Sequence, residues 1–179
     1  VLASFLLAAC LSMHAEVKLP AIFSDGMVMQ QQTNANLWGT ATPNKKVTVT
    51  TGWNGKQYAV TADKNGSWKL SVSTPEAGGP YTITFDDGTP KTLNNILIGE
   101  LWLCSGQSNM EMPMKGFKNQ PVENANMDIL RSKNPHIRLF TVKRTSTITP
   151  QNDVVGSWKE AAPVSVRDFS ATAYYFGRL

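Results

Sequence analysis

A serine between two amide side chains follows an apolar run in the middle of the chain. The segment LCSGQSNMEMPM, residues 103–114, places Ser108 between Gln107 and Asn109. A serine held at the end of a strand can be the nucleophile of acyl transfer, because nearby backbone N–H groups can stabilise the oxyanion that forms. Gly106 would let the backbone turn tightly and leave room for an acyl group. The same pattern also fits a polar turn that happens to contain serine.

The apolar run before this serine predicts the strand that would present it. ILIGELWLC, residues 96–104, carries one charge, Glu100, and is typical of a strand buried on both faces. Ligands of open α/β sheets lie beyond the carboxyl ends of the strands, and Ser108 would lie there. The segment is not the G-x-S-x-G elbow of the α/β-hydrolases, because Met110 stands where that motif needs glycine. Spacing alone leaves both interpretations of the serine open.

Residues 96–179 have the pattern of the beginning of an α/β domain. PVENANMDILRSK predicts a helix with Val122, Ala125 and Ile129 on one face, and HIRLFTV predicts a strand after it. With the run before the serine, these elements form a βαβ unit and imply a parallel sheet. RDFSATAYYFGRL predicts a further helix, with Asp168 as a candidate cap. Two strands with one or two helices cannot form a parallel sheet that is covered on both faces. The domain is therefore expected to be incomplete at its C-terminus.

Residues 16–95 predict a different architecture, because their apolar positions alternate with period two. KVTVTTGW, KQYAVTAD, SWKLSVST and PYTITFDD are short strand patterns, the last with Ile83 and Phe85 on one face. Asn65 and Gly66, between the second and third of these, suit a type I′ hairpin turn. Strands at this spacing, without helical segments between them, predict an antiparallel β-sandwich.

The first residues have the composition of an export signal. VLASFLLAACLSMHA, residues 1–15, has no charged residue and an apolar core too short to span a bilayer. It has no initiator methionine, so we interpret it as a partial signal peptide, cleaved after Ala15 or, alternatively, lipidated at Cys10 as in a lipoprotein. Both alternatives predict an exported protein, periplasmic or extracellular, without a transmembrane helix. Because Cys10 lies in this leader, Cys104 is left alone in the mature chain, where no internal disulfide is possible, and it is predicted to be a buried structural thiol.

Composition narrows the class of function further. The chain is 41% hydrophobic and 17% charged, with a net charge of +4 from scattered lysines and arginines. A nucleic-acid partner would require a basic stripe or aromatic platforms on a known module, and neither is found. No cluster of His, Cys and Asp has the spacing of metal ligands, so no metal or other cofactor is predicted.

The motif around the serine resembles a known family. GELWLCSGQSNMEMP resembles the first block of the sialate O-acetylesterase family, a branch of the SGNH hydrolases. LPAIFSDGMVMQQ, NLWGTATPNKKVTV and GSWKLSVSTPEAGGPYTI are similar to the β-sandwich that precedes the hydrolase domain in that family, and NPHIRLFTV and FSATAYYFGRL to segments that follow. The resemblance implies an all-β sandwich at residues 16–95. It also implies the truncated start of a flavodoxin-like, three-layer SGNH hydrolase domain at residues 96–179.

The same resemblance implies the chemistry. Ser108 would attack an O-acetyl ester of sialic acid, with its own backbone N–H as an oxyanion donor and Gly106, Gln107 and Asn109 as the surrounding loop. Sialic acid carries a carboxylate, and the candidates to contact it are three lysines that also fit a solvated surface: Lys115, Lys118 and Lys143.

The base of this mechanism is missing from the pattern. In the family it is a histidine near the C-terminus, usually with an aspartate just before it. His14 lies in the export signal, and His136 lies at the amino edge of the second predicted parallel strand. We therefore expect the catalytic histidine and aspartate beyond Leu179, and we expect these 179 residues alone to be inactive.

Two other functions fit the same residues. The substrate could be acetylated xylan or another acetylated polysaccharide. Alternatively, the chain could be a non-catalytic, exported carbohydrate-binding module. In that case Trp38, Trp53 and Trp68 could line a sugar-binding face, although they also fit the core of a small sandwich.

Overall fold

The structure is a computed structural model that describes residues 16–179, so the predicted export signal lies outside the described residues. The described residues form nine strands and four short helices. The strands are β1 (Val28–Gln30), β2 (Asn34–Thr40), β3 (Lys46–Thr51), β4 (Gln57–Thr61), β5 (Ser67–Ser73), β6 (Gly78–Asp86), β7 (Pro90–Gly99), β8 (Asn134–Phe140) and β9 (Trp158–Ala161). The helices are α1 (Ser108–Glu111), α2 (Ala125–Leu130), α3 (Pro163–Val166) and α4 (Ala171–Gly177). None of these helices is long and apolar enough to cross a membrane.

The strands form three sheets. The largest has the order β1-β7-β6-β3-β4 and is mixed, because β1 runs parallel to β7 while the other neighbours are antiparallel. β2 pairs antiparallel with β5, and β8 pairs antiparallel with β9. The first seven strands therefore belong to two sheets, and the last two strands form a hairpin-like pair of their own.

The first two sheets share one hydrophobic core. Its members come from β2 and β5 on one side and from the five-stranded sheet on the other: Leu37, Trp68 and Val72, with Val47, Val49, Ile83, Phe85, Ile96 and Ile98. Ile83 and Phe85 are completely buried on one face of β6, as their period-two pattern predicted. Alternation thus decides which face of each strand packs inward.

The connection at Asn65 and Gly66 is not the predicted hairpin. β4 pairs with β3 and β5 pairs with β2, so this turn joins two different sheets. The Asp63 carboxylate accepts hydrogen bonds from the N–H groups of Asn65, at 2.8 Å, and Ser67, at 2.9 Å, and this Asx-type turn stabilises the connection. Only Gly66 of the pair has a positive φ, +83°, and a Cβ there would lie 2.4 Å from the Ala41 carbonyl oxygen.

The predicted strand over residues 96–104 is wrong in its second half. β7 ends at Gly99, because its parallel partner β1 offers only three residues for pairing and the last of them, Gln30, lies opposite Gly99. Beyond that point the chain is exposed, and Leu103 has 92% of its surface accessible. Cys104 is also exposed, so the prediction of a buried thiol is wrong as well.

The predicted parallel βαβ unit is absent from the described residues, since β8 pairs antiparallel with β9. Of the helix predicted over PVENANMDILRSK, only the six residues of α2 are helical, and Val122 lies before it. Ala125 is buried, while Val122 and Ile129 pack on a second hydrophobic core. That core is made of Met114, Leu139, Ala161, Val166, Ala171 and Tyr174.

Arg138 of β8 joins the second core to the N-terminal sheets. Only 3% of its side chain is exposed. Its guanidinium donates to the Gly26 carbonyl at 3.2 Å and to Asn95 Oδ1 at 3.0 Å, and it lies 3.3 Å from Glu160 Oε1. Trp158 adds a parallel link, because its indole N–H donates to the Ile22 carbonyl at 2.8 Å. These contacts fix β8 and β9 against the N-terminal sheets.

We predict that Arg138→Ala lowers the free energy of unfolding by about 2–3 kcal/mol. The substitution leaves without a partner the acceptors that were hydrogen-bonded to a buried charge. Arg144→Ala is the matched control, since Arg144 pairs with Glu111 but 88% of its side chain is exposed. Its expected cost is below about 0.5 kcal/mol. Urea unfolding of the two variants measures both values, and equal losses would contradict the role given to Arg138.

Candidate active site

Ser108 is the first residue of a one-turn helix. The Gln107 carbonyl accepts hydrogen bonds from the N–H groups of Met110, at 2.9 Å, and Glu111, at 3.0 Å, and the Ser108 carbonyl accepts from Met112 at 3.0 Å. Among the described residues, nothing accepts a hydrogen bond from the N–H groups of Ser108 and Asn109. Free N–H groups are typical of a first helical turn, and here they flank the serine hydroxyl.

The four predicted site residues lie together and are all exposed: Gly106, Gln107, Ser108 and Asn109. Gly106 has no positive φ, so the tight-turn argument for glycine does not apply. Close packing explains it better, because a Cβ at this position would lie 3.1 Å from the Cβ of Met110. A side chain at residue 106 would therefore press on the helix that carries the serine.

No base reaches the serine within residues 16–179. The Ser108 hydroxyl has no hydrogen-bond partner there, and His136, the histidine of this range, lies in β8 with its backbone N–H donating to Asn134 Oδ1 at 2.9 Å. Within the same range, no three His, Cys, Asp or Glu side chains are placed to hold a metal ion. The described part of the chain thus holds the nucleophile loop without its base.

α4 holds the serine helix from one side. Thr172 Oγ1 donates to the Asn109 carbonyl at 3.1 Å, and the Ser170 hydroxyl contacts Met110 Sδ at 3.4 Å. The Ala171 N–H donates to the Met112 carbonyl at 2.8 Å. These contacts place α1 directly at the amino end of α4.

The cap of α4 differs from the prediction. Ser170 is the N-cap, and its side chain accepts from the Ala173 N–H at 3.3 Å. Asp168 instead lies 2.5 Å from Lys115 Nζ, and this contact is the main reason that the pKa of Asp168 is lowered. Of the three lysines proposed to meet a carboxylate, Lys115 is therefore already paired.

A second contact fixes α4 against α2. Asp128 of α2 accepts hydrogen bonds from Tyr175 Oη at 2.8 Å and from Arg178 at 2.9 Å. The Arg178 guanidinium also lies 4.7 Å from the centre of the Tyr175 ring. The hydrogen bond from Arg178, followed in size by the one from Tyr175, lowers the pKa of Asp128. Burial and the bond to Asp128 raise the pKa of Tyr175 to about 12.

The beginning of the serine segment is held by residues that the sequence patterns did not single out. Glu100 accepts hydrogen bonds from Gln31 Nε2 at 2.6 Å and Gln30 Nε2 at 3.2 Å, and the Leu101 N–H donates to Gln30 Oε1 at 2.8 Å. The bonds from Gln31 and Gln30 lower the pKa of Glu100. The signal in the sequence was the charge of Glu100 in an apolar run. The neighbouring residues do not indicate that its partners lie about seventy residues away.

Two surface grooves of the described residues lie away from the nucleophile loop. A groove of about 490 Å³ lies where Leu93 and Phe23 meet Trp158, at the junction of the N-terminal sheets with β9. A smaller groove of about 250 Å³ is lined by Lys115 and by residues at the start of α2. None of the four predicted site residues lines either groove.

Comparison with known proteins gives a consistent result. A sialate O-acetylesterase from Mus musculus is 30% identical over 171 residues, which cover 85% of this chain and 31% of that protein. The sialate O-acetylesterases of Pongo abelii and Homo sapiens are 27% and 26% identical, and each match covers 90% of this chain and 34% of the relative. The resemblance to the sialate O-acetylesterases is confirmed. No family model matches the chain.

A solved structure extends this comparison to the fold. A carbohydrate acetylesterase from Xanthomonas citri superposes with a TM-score of 0.83 and 30% sequence identity, covering 91% of this chain and 37% of that one. The chain spans about a third of the length of the relatives that it matches. Most of the described arrangement therefore recurs within a larger carbohydrate acetylesterase.

We predict that Asp128→Asn makes the fold less sensitive to acid. Because its partners lower the pKa of folded Asp128, they stabilise the fold above the pKa of an unfolded aspartate, about 3.9, and this contribution is lost as the pH falls through the folded value. Between neutral pH and about pH 2, the original chain should therefore lose more unfolding free energy than the variant.

The matched control for this prediction is Glu123→Gln, which removes a neighbouring carboxylate that forms no ion pair with the described residues. This variant should lose as much stability on acidification as the original chain does. Urea unfolding at several pH values measures the effect. Identical pH dependence in Asp128→Asn and the original chain would contradict the proposed contact.

Proposed function

We propose that this chain carries the nucleophile loop of an exported carbohydrate esterase that removes O-acetyl groups from sialic acids. The observation that carries the proposal is the exposed Ser108 hydroxyl, which begins a helical turn beside two unbonded N–H groups, in a chain similar to sialate O-acetylesterases. In the division that we propose, residues 16–95 form an all-β sandwich and residues 96–179 begin an SGNH hydrolase domain. Residues 1–15 direct export.

The chemistry follows from the serine and its neighbours. Ser108 Oγ attacks the acetyl carbonyl carbon while a base takes the hydroxyl proton, and the carbonyl oxygen becomes an oxyanion. The N–H groups of Ser108 and Asn109 are the donors available to it, and one such donor is worth about 3 kcal/mol in acyl transfer. The sugar hydroxyl leaves with the proton that the base returns, and water then hydrolyses the acetyl-serine to acetate.

The family resemblance implies that the base in this scheme is a histidine. No histidine of residues 16–179 contacts Ser108. His136 does not serve, because it lies in β8 without contact to the serine. The proposal therefore concerns the full-length protein, in which the nucleophile loop meets a histidine with its orienting aspartate. Isolated residues 16–179 are expected to lack turnover.

One alternative substrate is favoured by a specific observation. The structural neighbour from Xanthomonas citri is named a carbohydrate acetylesterase, without reference to sialic acid, and it is 30% identical to this chain. Acetylated xylan or another acetylated polysaccharide is therefore the second candidate. The reaction and the role of Ser108 are the same for both substrates.

The non-catalytic alternative has less support, because the three tryptophans do not form an open face. Trp68 is buried, and the Trp38 and Trp53 indole N–H groups donate to the backbone carbonyls of Asn152, at 3.3 Å, and Ser73, at 3.1 Å. Trp38 and Trp53 also lie edge-on to neighbouring aromatic rings. Side chains used in this way fill and border the core.

We predict that Ser108→Ala in the full-length protein lowers kcat for acetate release by at least about 10³-fold, because the nucleophile is lost. Ser105→Ala is the matched control, since Ser105 is an exposed serine of the same segment, and its turnover should be unchanged. Acetate release is measured with O-acetylated sialic acid and with acetylated xylan, and the faster substrate identifies the class. Equal turnover in Ser108→Ala and the original protein would contradict the proposal.

A further inference from the structure

We infer that Gln30, Gln31 and Glu100 position the segment that presents Ser108, so that the end of β1 helps to set the geometry of the nucleophile. This inference rests on the proposed function and assigns a role to Glu100 and to two glutamines that are far from the serine in sequence. It does not make any of the three a catalytic residue, because none of them touches the reacting atoms.

The contacts form a continuous series at the end of the β1–β7 pair. The last paired residues are Gln30 and Gly99, and the Gln31 N–H still donates to the Gly99 carbonyl at 2.8 Å. Beyond Gly99 side chains replace the backbone ladder. Gln30 Oε1 accepts from the Leu101 N–H at 2.8 Å, while Gln30 and Gln31 both donate to the Glu100 carboxylate, at 3.2 Å and 2.6 Å.

Gln31 is itself held in place. Its Oε1 accepts a hydrogen bond from the Ala77 N–H at 2.9 Å, so the amide bridges the loop before β6 and the carboxylate of Glu100. The next residue continues the attachment, because the Gln32 N–H donates to the Pro75 carbonyl at 2.9 Å. Bonds to an ionised carboxylate are stronger than neutral ones, and the bonds from Gln31 and Gln30 to Glu100, which lower its pKa, are of this kind.

The segment between this anchor and the serine helix has little other support. Among the described residues, no backbone hydrogen bond involves residues 102–106. The Trp102 ring of this stretch packs edge-on against the Phe176 ring, with the ring centres 5.1 Å apart. At its far end the segment is held by the bond from Thr172 to the Asn109 carbonyl. Its course is therefore set by two anchors, one at Glu100 and Leu101 and one at α4.

Acyl transfer is sensitive to such an anchor. The attacking oxygen must approach the carbonyl carbon in a defined direction, and a misplacement of about 1 Å from a remote substitution can lower the rate by about 10²-fold. A shift in the anchor would move the serine relative to groups held by other parts of the protein. Substrate affinity should change less, because a displaced nucleophile alters the geometry of attack, whereas none of the three anchor residues is among those proposed to contact the substrate.

The test is a reciprocal exchange in the full-length protein. In Gln31→Glu alone, two carboxylates face and repel each other. In Glu100→Gln alone, two amide N–H groups face each other without an acceptor between them. The double variant Gln31→Glu with Glu100→Gln restores every bond, because the new carboxylate accepts from Ala77 and from the new amide, whose oxygen accepts from Gln30. Glu76→Gln is the control, since Glu76 lies in the same region and accepts a long bond of 3.5 Å from Gln32, its one side-chain partner within residues 16–179.

We expect each single variant to lower kcat for acetate release by about tenfold to 10²-fold with KM changed less than about twofold, and the double variant to restore kcat. Glu76→Gln should keep both constants. Amide hydrogen exchange at Leu101 should rise in the single variants and return in the double variant. Thermal unfolding is compared in parallel, because a kcat lost through partial unfolding would be accompanied by an unfolding midpoint close to the assay temperature.

Two results would overturn the inference. One is single variants with unchanged kcat, and the other is a double variant that regains Leu101 protection without regaining kcat. Failure of the proposed function is a different result, because Ser108→Ala would then release acetate as fast as the original protein. In that case the serine needs no positioning, and the inference falls with the function.

Discussion

The pairing of β7 with β1 on one side and β6 on the other fixes the point at which the chain leaves the N-terminal sheets. Ile96 and Ile98 of β7 are buried in the shared core, and burial of such a side chain contributes about 1.5–3 kcal/mol. The three-residue β1 ends the ladder at Gly99, and the charge of Glu100 lies in solvent, where it is bonded by side chains of β1 and the residue after it. The course of the segment from Glu100 toward Ser108 begins at this exit.

A second group of contacts fixes the other end of the serine segment. Asp128 holds α4 through Tyr175 and Arg178, and α4 in turn holds α1 through Thr172. Arg138 ties the hydrophobic core beneath these helices to the N-terminal sheets. The nucleophile therefore lies on an exposed turn whose two ends are attached to packed elements, and such a scaffold reduces the number of orientations that the serine can adopt.

Local patterns predicted the features that depend on which face of an element is buried. The alternation of Ile83 and Phe85 and the spacing of Val122, Ala125 and Ile129 both describe an inward face, and both are confirmed. The serine motif also identified the curated relatives correctly, although it does not test which residue is catalytic. Burial imposes these patterns directly on the sequence, so they can be read without knowing the fold.

Features that depend on distant partners were not predictable in the same way. The apolar run at residues 96–104 does not reveal that β1 is only three residues long, so the end of the strand and the exposure of Cys104 were missed. Asn65 and Gly66 specify a turn but not which sheets the flanking strands join. Asp168 has the residue type of a helix cap, but its carboxylate forms an ion pair with Lys115, which lies elsewhere in the sequence.

Covalent labelling of the full-length protein can show whether Ser108 is the nucleophile that forms the acyl intermediate. The full-length protein is treated with a fluorophosphonate, which modifies activated serine hydroxyls, and the modified peptide is sequenced by mass spectrometry. We expect acetate release to fall in proportion to labelling and to be lost when each molecule carries one adduct. That adduct should lie on Ser108, within the segment at residues 103–114. Complete inactivation with the adduct on a different serine would contradict this role of Ser108.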